Sequence, residues 1–93
     1  METKKVRRTV SSADLNGLSR EHTVVGAKQL RKALKTGQVR RVFLALNADP
    51  AVTEPLEDFC LSNGIPCLWV KSMIDLGMAC AIDVGAAAAA IVE

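Results

Sequence analysis

At 93 residues, 49% apolar and 24% charged, the chain suits one compact domain with a modest core, which excludes disorder throughout. Its net charge of +2 conceals a division: residues 1–41 carry eleven Lys/Arg against three Asp/Glu, net +8, and residues 42–93 carry one against seven, net −6. Such segregation suggests a cationic face for a polyanion, nucleic acid being the commonest, and an acidic face that favours solubility.

In chain order, residues 1–12 read as a flexible basic tail and residues 13–93 as a single domain. Lys4, Lys5, Arg7 and Arg8 crowd a stretch without apolar periodicity, which suits an unstructured arm that touches phosphate. Ser12 offers a cap for a short, weak helix over 13–18, interrupted by Gly17. The β-branched run Thr23-Val24-Val25 predicts a short strand. Gly26 then opens an amphipathic helix that stops near Gly37. Val42-Phe43-Leu44-Ala45-Leu46 is a continuous apolar run, as expected of a strand covered on both faces. A turn follows at Asn47-Ala48-Asp49-Pro50. The next helix is expected over 54–62, with Thr53 as cap and Pro55 in its first turn, ending at Asn63-Gly64.

Ile65 to Val70 reads as a second buried strand, entered through Pro66. Ser72 and Asp75 form an S-x-x-D signature that opens a helix over Met73 to Cys80. The final GAAAAAIVE is ambiguous by propensity, since alanine prefers helix. Its place after a helix and loop favours a closing strand, because strands alternating with helices want another member for the central sheet. The resulting expectation is an α/β fold, a single-domain three-layer α-β-α sandwich around a small mixed sheet.

The helix after Gly26 poses the functional question. Lys28, Arg31, Lys32 and Lys35 cluster on one side of it, opposite Ala27, Leu30, Ala33 and Leu34. No acid stands between Val24 and Arg41, although Glu–Lys pairs at i,i+4 would stabilise a merely soluble helix. Lys28–Lys32 and Arg31–Lys35 are like-charge pairs at that spacing. The stripe is either a solvated face or a holder of something negative.

Several other classes find little support. Cys60, Cys67 and Cys80 lack C-x-x-C spacing and have only His22 for company, so neither a disulfide framework nor a metal site is expected. They read as small buried residues in a reducing cytosol. METKKVRRTVSS has no apolar stretch behind its basic residues, and no run approaches the roughly 18 apolar residues of a membrane span. A soluble, cytoplasmic protein without a membrane partner is expected. Gly26-Ala27-Lys28 lacks the glycine spacing of a phosphate loop, no nucleophile–base pair is recognisable, and Asp49 and Asp83 sit where acids serve as caps. Neither catalysis nor a cofactor is expected.

Four segments taken together are familiar: VVGAKQLRKAL, VFLALNADP, IPCLWV and LGMACAIDVGAAAAAIV. In order and spacing they resemble the kink-turn RNA-binding ribosomal proteins of the L7Ae/L30e type, most closely the small bacterial members, over about residues 20–93. The resemblance implies an α-β-α sandwich that binds sharply bent RNA. In that family the first turn of the helix after the glycine faces the major-groove edges of tandem sheared G·A pairs. Gly26, Lys28, Gln29 and Lys32 match those contacting positions. Arg31 and Lys35 are assigned to phosphate, which positions without reading sequence.

The resemblance also implies a second, apolar half. A loop after the L-G-x-A-C helix packs on an extruded nucleotide in the family, and Ile82, Asp83 and Val84 match it; on the residues alone, Ile82 and Val84 read as core and Asp83 as a turn acid. Ala81 stands where many members have glycine, which is expected to deny the loop a positive φ. Leu46-Asn47 replace a usual acidic pair, a change expected to alter a partner surface. Phe43, Phe59 and Trp69 all fall inside expected elements, so base stacking on aromatics is not expected. The implied partner is structured RNA with a kink-turn, in ribosomal RNA, a riboswitch or another folded RNA, bound by a monomer and with the ribosome as one setting. A protein-interaction module of the same fold and a generic basic duplex binder are the competing readings.

Overall fold

A computed structural model describes Thr9 and residues 22–92 of the chain. Seven elements alternate: β1 (Thr23–Val25), α1 (Ala27–Thr36), β2 (Val39–Ala45), α2 (Pro50–Asn63), β3 (Cys67–Val70), α3 (Met73–Ala79) and β4 (Ala88–Val92). The short helix expected over 13–18 and nearly all of the basic tail lie outside the described residues. Thr9 forms an isolated parallel bridge with Trp69 of β3.

The sheet runs β1-β4-β2-β3, with β2 and β3 parallel and β4 antiparallel to both β1 and β2. Period-2 alternation sends successive residues to opposite faces. Val42, Leu44, Trp69, Ala88 and Ala90 meet Leu30 and Leu34 of α1 and Leu56 and Cys60 of α2. On the other face, Phe43, Ala45, Val70 and Ala89 meet Leu76 of α3. Helices therefore cover both faces, and the expected three-layer α/β sandwich is borne out.

The alanine run is a strand, as expected over its local preference. Ala88, Ala89 and Ala90 are completely buried, with β1 on one side and β2 on the other. Helix propensity differs by at most about 0.7 kcal/mol among ordinary residues, less than the burial and ladder hydrogen bonds of a central strand supply. The small side chains also let α1 lie close to the sheet.

Several boundaries depart from expectation, among them the start of β3, at Cys67 where Ile65 was expected. Strand β2 begins at Val39, three residues early, and its register against β4 shifts between Val39 and Arg41. Arg40 and Arg41 are consecutive and both exposed, so the irregularity removes the alternation that would have marked a strand. At the other end Leu46 turns out of the strand and is 40% exposed.

Helix α2 begins at Pro50, not at 54. Asp49 is its cap, accepting from the Ala51 amide at 2.9 Å, and Pro50 takes the first helical position, where no intrahelical donor is needed. Thr53 is thus buried inside the helix and caps nothing. Pro55 sits in the helix interior, where it denies a donor to the Ala51 carbonyl. Both residues are exposed, so water can take that carbonyl.

Helix C-termini follow the expected glycines: Gly37 and Gly64 are left-handed, at φ 74° and 67°. Ser72 caps α3 by accepting from the Asp75 amide at 3.1 Å. Because β1, β2 and β3 run the same way, α1, α2 and α3 all begin at one edge of the sheet. The loop that leads into β4 arrives at that same edge.

Candidate nucleic-acid interface

Gly26 joins β1 to α1 at φ 99° and ψ 144°, a conformation that is essentially restricted to glycine. Its amide donates to the Ala88 carbonyl at 2.8 Å, and its carbonyl accepts from Leu30 at 2.9 Å. Nothing lies within 4 Å of where a Cβ would stand, so the backbone is open to an approaching ligand. The amides of Ala27, Lys28 and Gln29 fall in the first turn, before intrahelical acceptors exist. No side chain caps this end and no acid stands in the turn, which leaves the positive end of the helix uncompensated.

Burial sorts the helix as its periodicity requires. Leu30 and Leu34 are buried, while Lys28, Gln29, Arg31, Lys32 and Lys35 are exposed. Lys28, Gln29 and Lys32 belong to the first turn and a half. Lys35 lies in the last turn, about 10 Å along the axis from Lys28, where a cation also stabilises the helix dipole.

The loop from Cys80 to Ala87 has the opposite character. Helix α3 ends in a Schellman motif: the Ile82 amide donates to the Gly77 carbonyl at 3.1 Å and the Ala81 amide to Met78 at 3.0 Å. That motif needs a left-handed residue, and Ala81 supplies it at φ 61°. The expectation that alanine would deny the loop a positive φ is therefore corrected. Two hydrogen bonds and a close helix contact hold the conformation against a steric cost of roughly 1–2 kcal/mol.

Gly77 makes the close contact. A Cβ there would lie 2.0 Å from the Val84 carbonyl oxygen, so the loop backbone rests directly on α3. Ile82 is half-buried against the α3-side core, while Asp83 is exposed and Val84 is 70% exposed. The residues that look alike in sequence divide: Ile82 anchors the loop and Val84 presents a bare apolar side chain.

Both halves meet through β4. The Gly26–Ala88 hydrogen bond ties the start of α1 to the end of the loop, and the Ala86 amide donates to the Met73 carbonyl at 2.9 Å on the α3 side. An uncapped cationic helix start and an apolar protrusion thus share one edge. Sequence reasoning missed Gly77, whose signal was a glycine inside a helical stretch, a costly residue unless something must come close. It also missed Asn47, whose Oδ1 accepts from the Met73 amide at 2.8 Å and pins the start of α3. Asn47, expected to alter a partner surface, is exposed, and its side-chain oxygen is also engaged within the fold.

Cys60 and Cys67 stand apart from this arrangement, while Cys80 begins the loop. Cys60 is buried, but Cys67 and Cys80 are only half-buried, short of the expectation for all three. A hydrogen bond from Cys67 draws the Cys60 thiol below its ordinary value against the opposing effects of burial and Glu57. Burial alone pushes Cys80 up, so it stays a neutral thiol. No group of three or more metal-ligating side chains occurs among the described residues, and no described helix is long and apolar enough to cross a membrane.

Comparison with known proteins adds independent information. A family model described as the ribosomal protein L7Ae/L30e/S12e/Gadd45 family matches residues 8–93. An RNA-binding protein from Bacillus pumilus is 46% identical over 68 residues, 73% of this chain and 83% of that protein. Among solved structures, the Giardia lamblia 15.5kD RNA binding protein superposes with a TM-score of 0.76 at 28% identity, covering 88% of this chain and 69% of its own. A protein of unknown function from Bacillus halodurans C gives a TM-score of 0.77 at 26% identity, covering 88% and 83%.

Proposed function

The chain belongs to the ribosomal protein L7Ae/L30e/S12e/Gadd45 family, and from that membership we propose that it is a noncatalytic RNA-binding protein that recognises kink-turns, bent duplexes built on tandem sheared G·A pairs. One observation carries the reading: the uncapped first turn of α1, with Lys28, Gln29 and Lys32 exposed, is joined by the Gly26–Ala88 hydrogen bond to a loop that projects Val84. Relatives named as RNA-binding proteins support the RNA half.

The division of labour follows from the chemistry of the two halves. Guanine O6 and N7 are acceptors that suit the Lys28 and Lys32 ammonium groups and the Gln29 amide. The free first-turn amides add a positive dipole end for phosphate. Arg31 and Lys35 hold phosphate further along the groove. Val84, with Ile82 behind it and Asp83 beside it, covers an extruded base. The protein acts as a cytoplasmic monomer that draws the RNA toward its bent form, since a ligand that prefers one state must populate it. Ribosomal RNA is one source of such motifs, and the basic tail serves as an additional phosphate arm.

The test compares a kink-turn RNA with a control whose two G·A pairs are replaced by Watson–Crick pairs. Both carry the same phosphates, so counterion release alone predicts equal affinity. A reader of the kink loses two or more base contacts of roughly 1–3 kcal/mol each, at least tenfold in Kd. Doubly labelled kink-turn RNA at low magnesium should also shorten end to end on adding protein. Affinities within threefold of each other without shortening would leave a protein-interaction module of the same fold as the better reading.

A further inference from the structure

Residues 42–93 contain a single Lys or Arg, Lys71, and its placement is informative. It is exposed and follows β3 directly, at the same edge of the sheet as the start of α1. Its position is held from both sides: the Val70 carbonyl accepts from the Leu46 amide at 2.8 Å, and Ser72 caps α3. At the start of α3 the Met73 amide is taken by Asn47 and the Asp75 amide by Ser72.

The segment that carries the chain from Val84 into β4 is tied by two backbone hydrogen bonds. On one side Gly26 binds Ala88, two residues before Lys28; on the other Met73 binds Ala86, two residues after Lys71. Strands β1 and β3, which lead into the two cations, are three strand spacings apart, roughly 14 Å. The two cations therefore leave the sheet on opposite sides of β4, the strand that the Val84 loop enters. A nucleotide extruded onto Val84 continues into a phosphate on either side, and α1 accounts for only one of them.

Resting on the RNA-binding reading above, we infer that Lys71 binds the RNA phosphate on the far side of the extruded nucleotide from α1, so that the strand is gripped on both flanks of the loop. Lys71 positions the strand and reads no base. The acidic surroundings of this half of the chain make it a local contact, in contrast to the broad field of α1.

The experiment measures binding of a kink-turn RNA by wild type, Lys71→Ala, Lys71→Arg, Lys28→Ala and Lys32→Ala, with circular dichroism as the check on folding. Lys71→Ala should raise Kd roughly three- to tenfold and flatten the slope of log K against log salt by roughly 0.7, with Lys71→Arg retaining both. RNAs carrying a single neutral methylphosphonate at each position near the extruded nucleotide complete the test. At one far-side position the neutral linkage should abolish the difference between wild type and Lys71→Ala. If Lys28→Ala and Lys32→Ala weaken binding while Lys71→Ala does not, the inference falls and the RNA-binding reading stands. If none of the three weakens it, both fall. An equal effect of Lys71→Ala on kinked and straight RNA, or its persistence on every methylphosphonate RNA, would also overturn the inference.

Discussion

Helix α1 presents its cations by periodicity alone, whereas the loop before β4 presents Val84 with that residue's own backbone carbonyl resting on Gly77. In α1, a 3.6-residue period buries Leu30 and Leu34 and necessarily exposes Lys28, Arg31, Lys32 and Lys35. In the loop, Ile82 and Val84 have the same spacing and nearly the same chemistry, yet one is half-buried and the other is 70% exposed. The comparison teaches that a periodic element tolerates substitution at its exposed face without losing shape. A loop seated on a close backbone contact does not tolerate a larger residue at that contact.

The sharpest way to break this contrast is Gly77→Ala. A methyl group 2.0 Å from the Val84 oxygen forces the loop off α3, and overpacking of this kind costs up to about 3 kcal/mol in stability. Urea denaturation should show that loss, and affinity for kink-turn RNA should fall beyond what the stability change explains. An unchanged denaturation midpoint would mean that the loop is not seated on Gly77.

Gly26→Ala probes the one special backbone position of the α1 half. Space is not the obstacle there, since nothing lies near the new Cβ; the obstacle is φ 99°. The expected destabilisation is about 2 kcal/mol from backbone strain, measured by thermal unfolding. A neutral outcome would show that the junction can relax to an ordinary conformation.

Lys32→Ala leaves the fold intact and addresses recognition. It should weaken binding to a kink-turn RNA by roughly 1–3 kcal/mol, the scale of a good base contact. Lys35→Ala, one turn further from the helix start, should weaken it less and mainly flatten the salt dependence. Filter binding across a salt series separates the two, and equal losses on kinked and straight RNA would reduce the stripe to a plain electrostatic face.

Ala81→Gly carries the smallest expected effect and the opposite sign. Glycine adopts φ 61° without the Cβ penalty but gives back part of the gain as unfolded-chain entropy. A net stabilisation of about 0.5–1 kcal/mol should appear as a higher melting temperature. Destabilisation would mean that the Ala81 methyl group packs against something that matters more than its dihedral strain.

What could be read from the sequence follows from the range of the forces involved. The α1 face, the left-handed stops at Gly37 and Gly64, the Ser72 cap and the buried run Val42 to Ala45 are local, each set by residues within a few positions of one another. Where a local signal was doubled, reading went astray: Pro50 and Pro55 both mark a helix start, and only the Asp49 cap decided between them. Consecutive Arg40 and Arg41 hid the first half of β2, because the register shift that exposes both is made against β4, some fifty residues away.

The interface divides on the same line. Its cationic half was legible because side-chain direction on a helix follows from periodicity, and the order of elements was enough to assign the alanine run to a strand against its own propensity. Only the tertiary structure decided that Ala81 would turn left-handed, that Asn47 would pin α3, and that the Gly77 surface would carry Val84 outward. Each of these depends on groups at separate positions, the end of α3, the turn after β2 and the loop before β4, arriving within hydrogen-bonding or van der Waals reach. That is a property of how the chain packs, which the identity of the residues alone does not state.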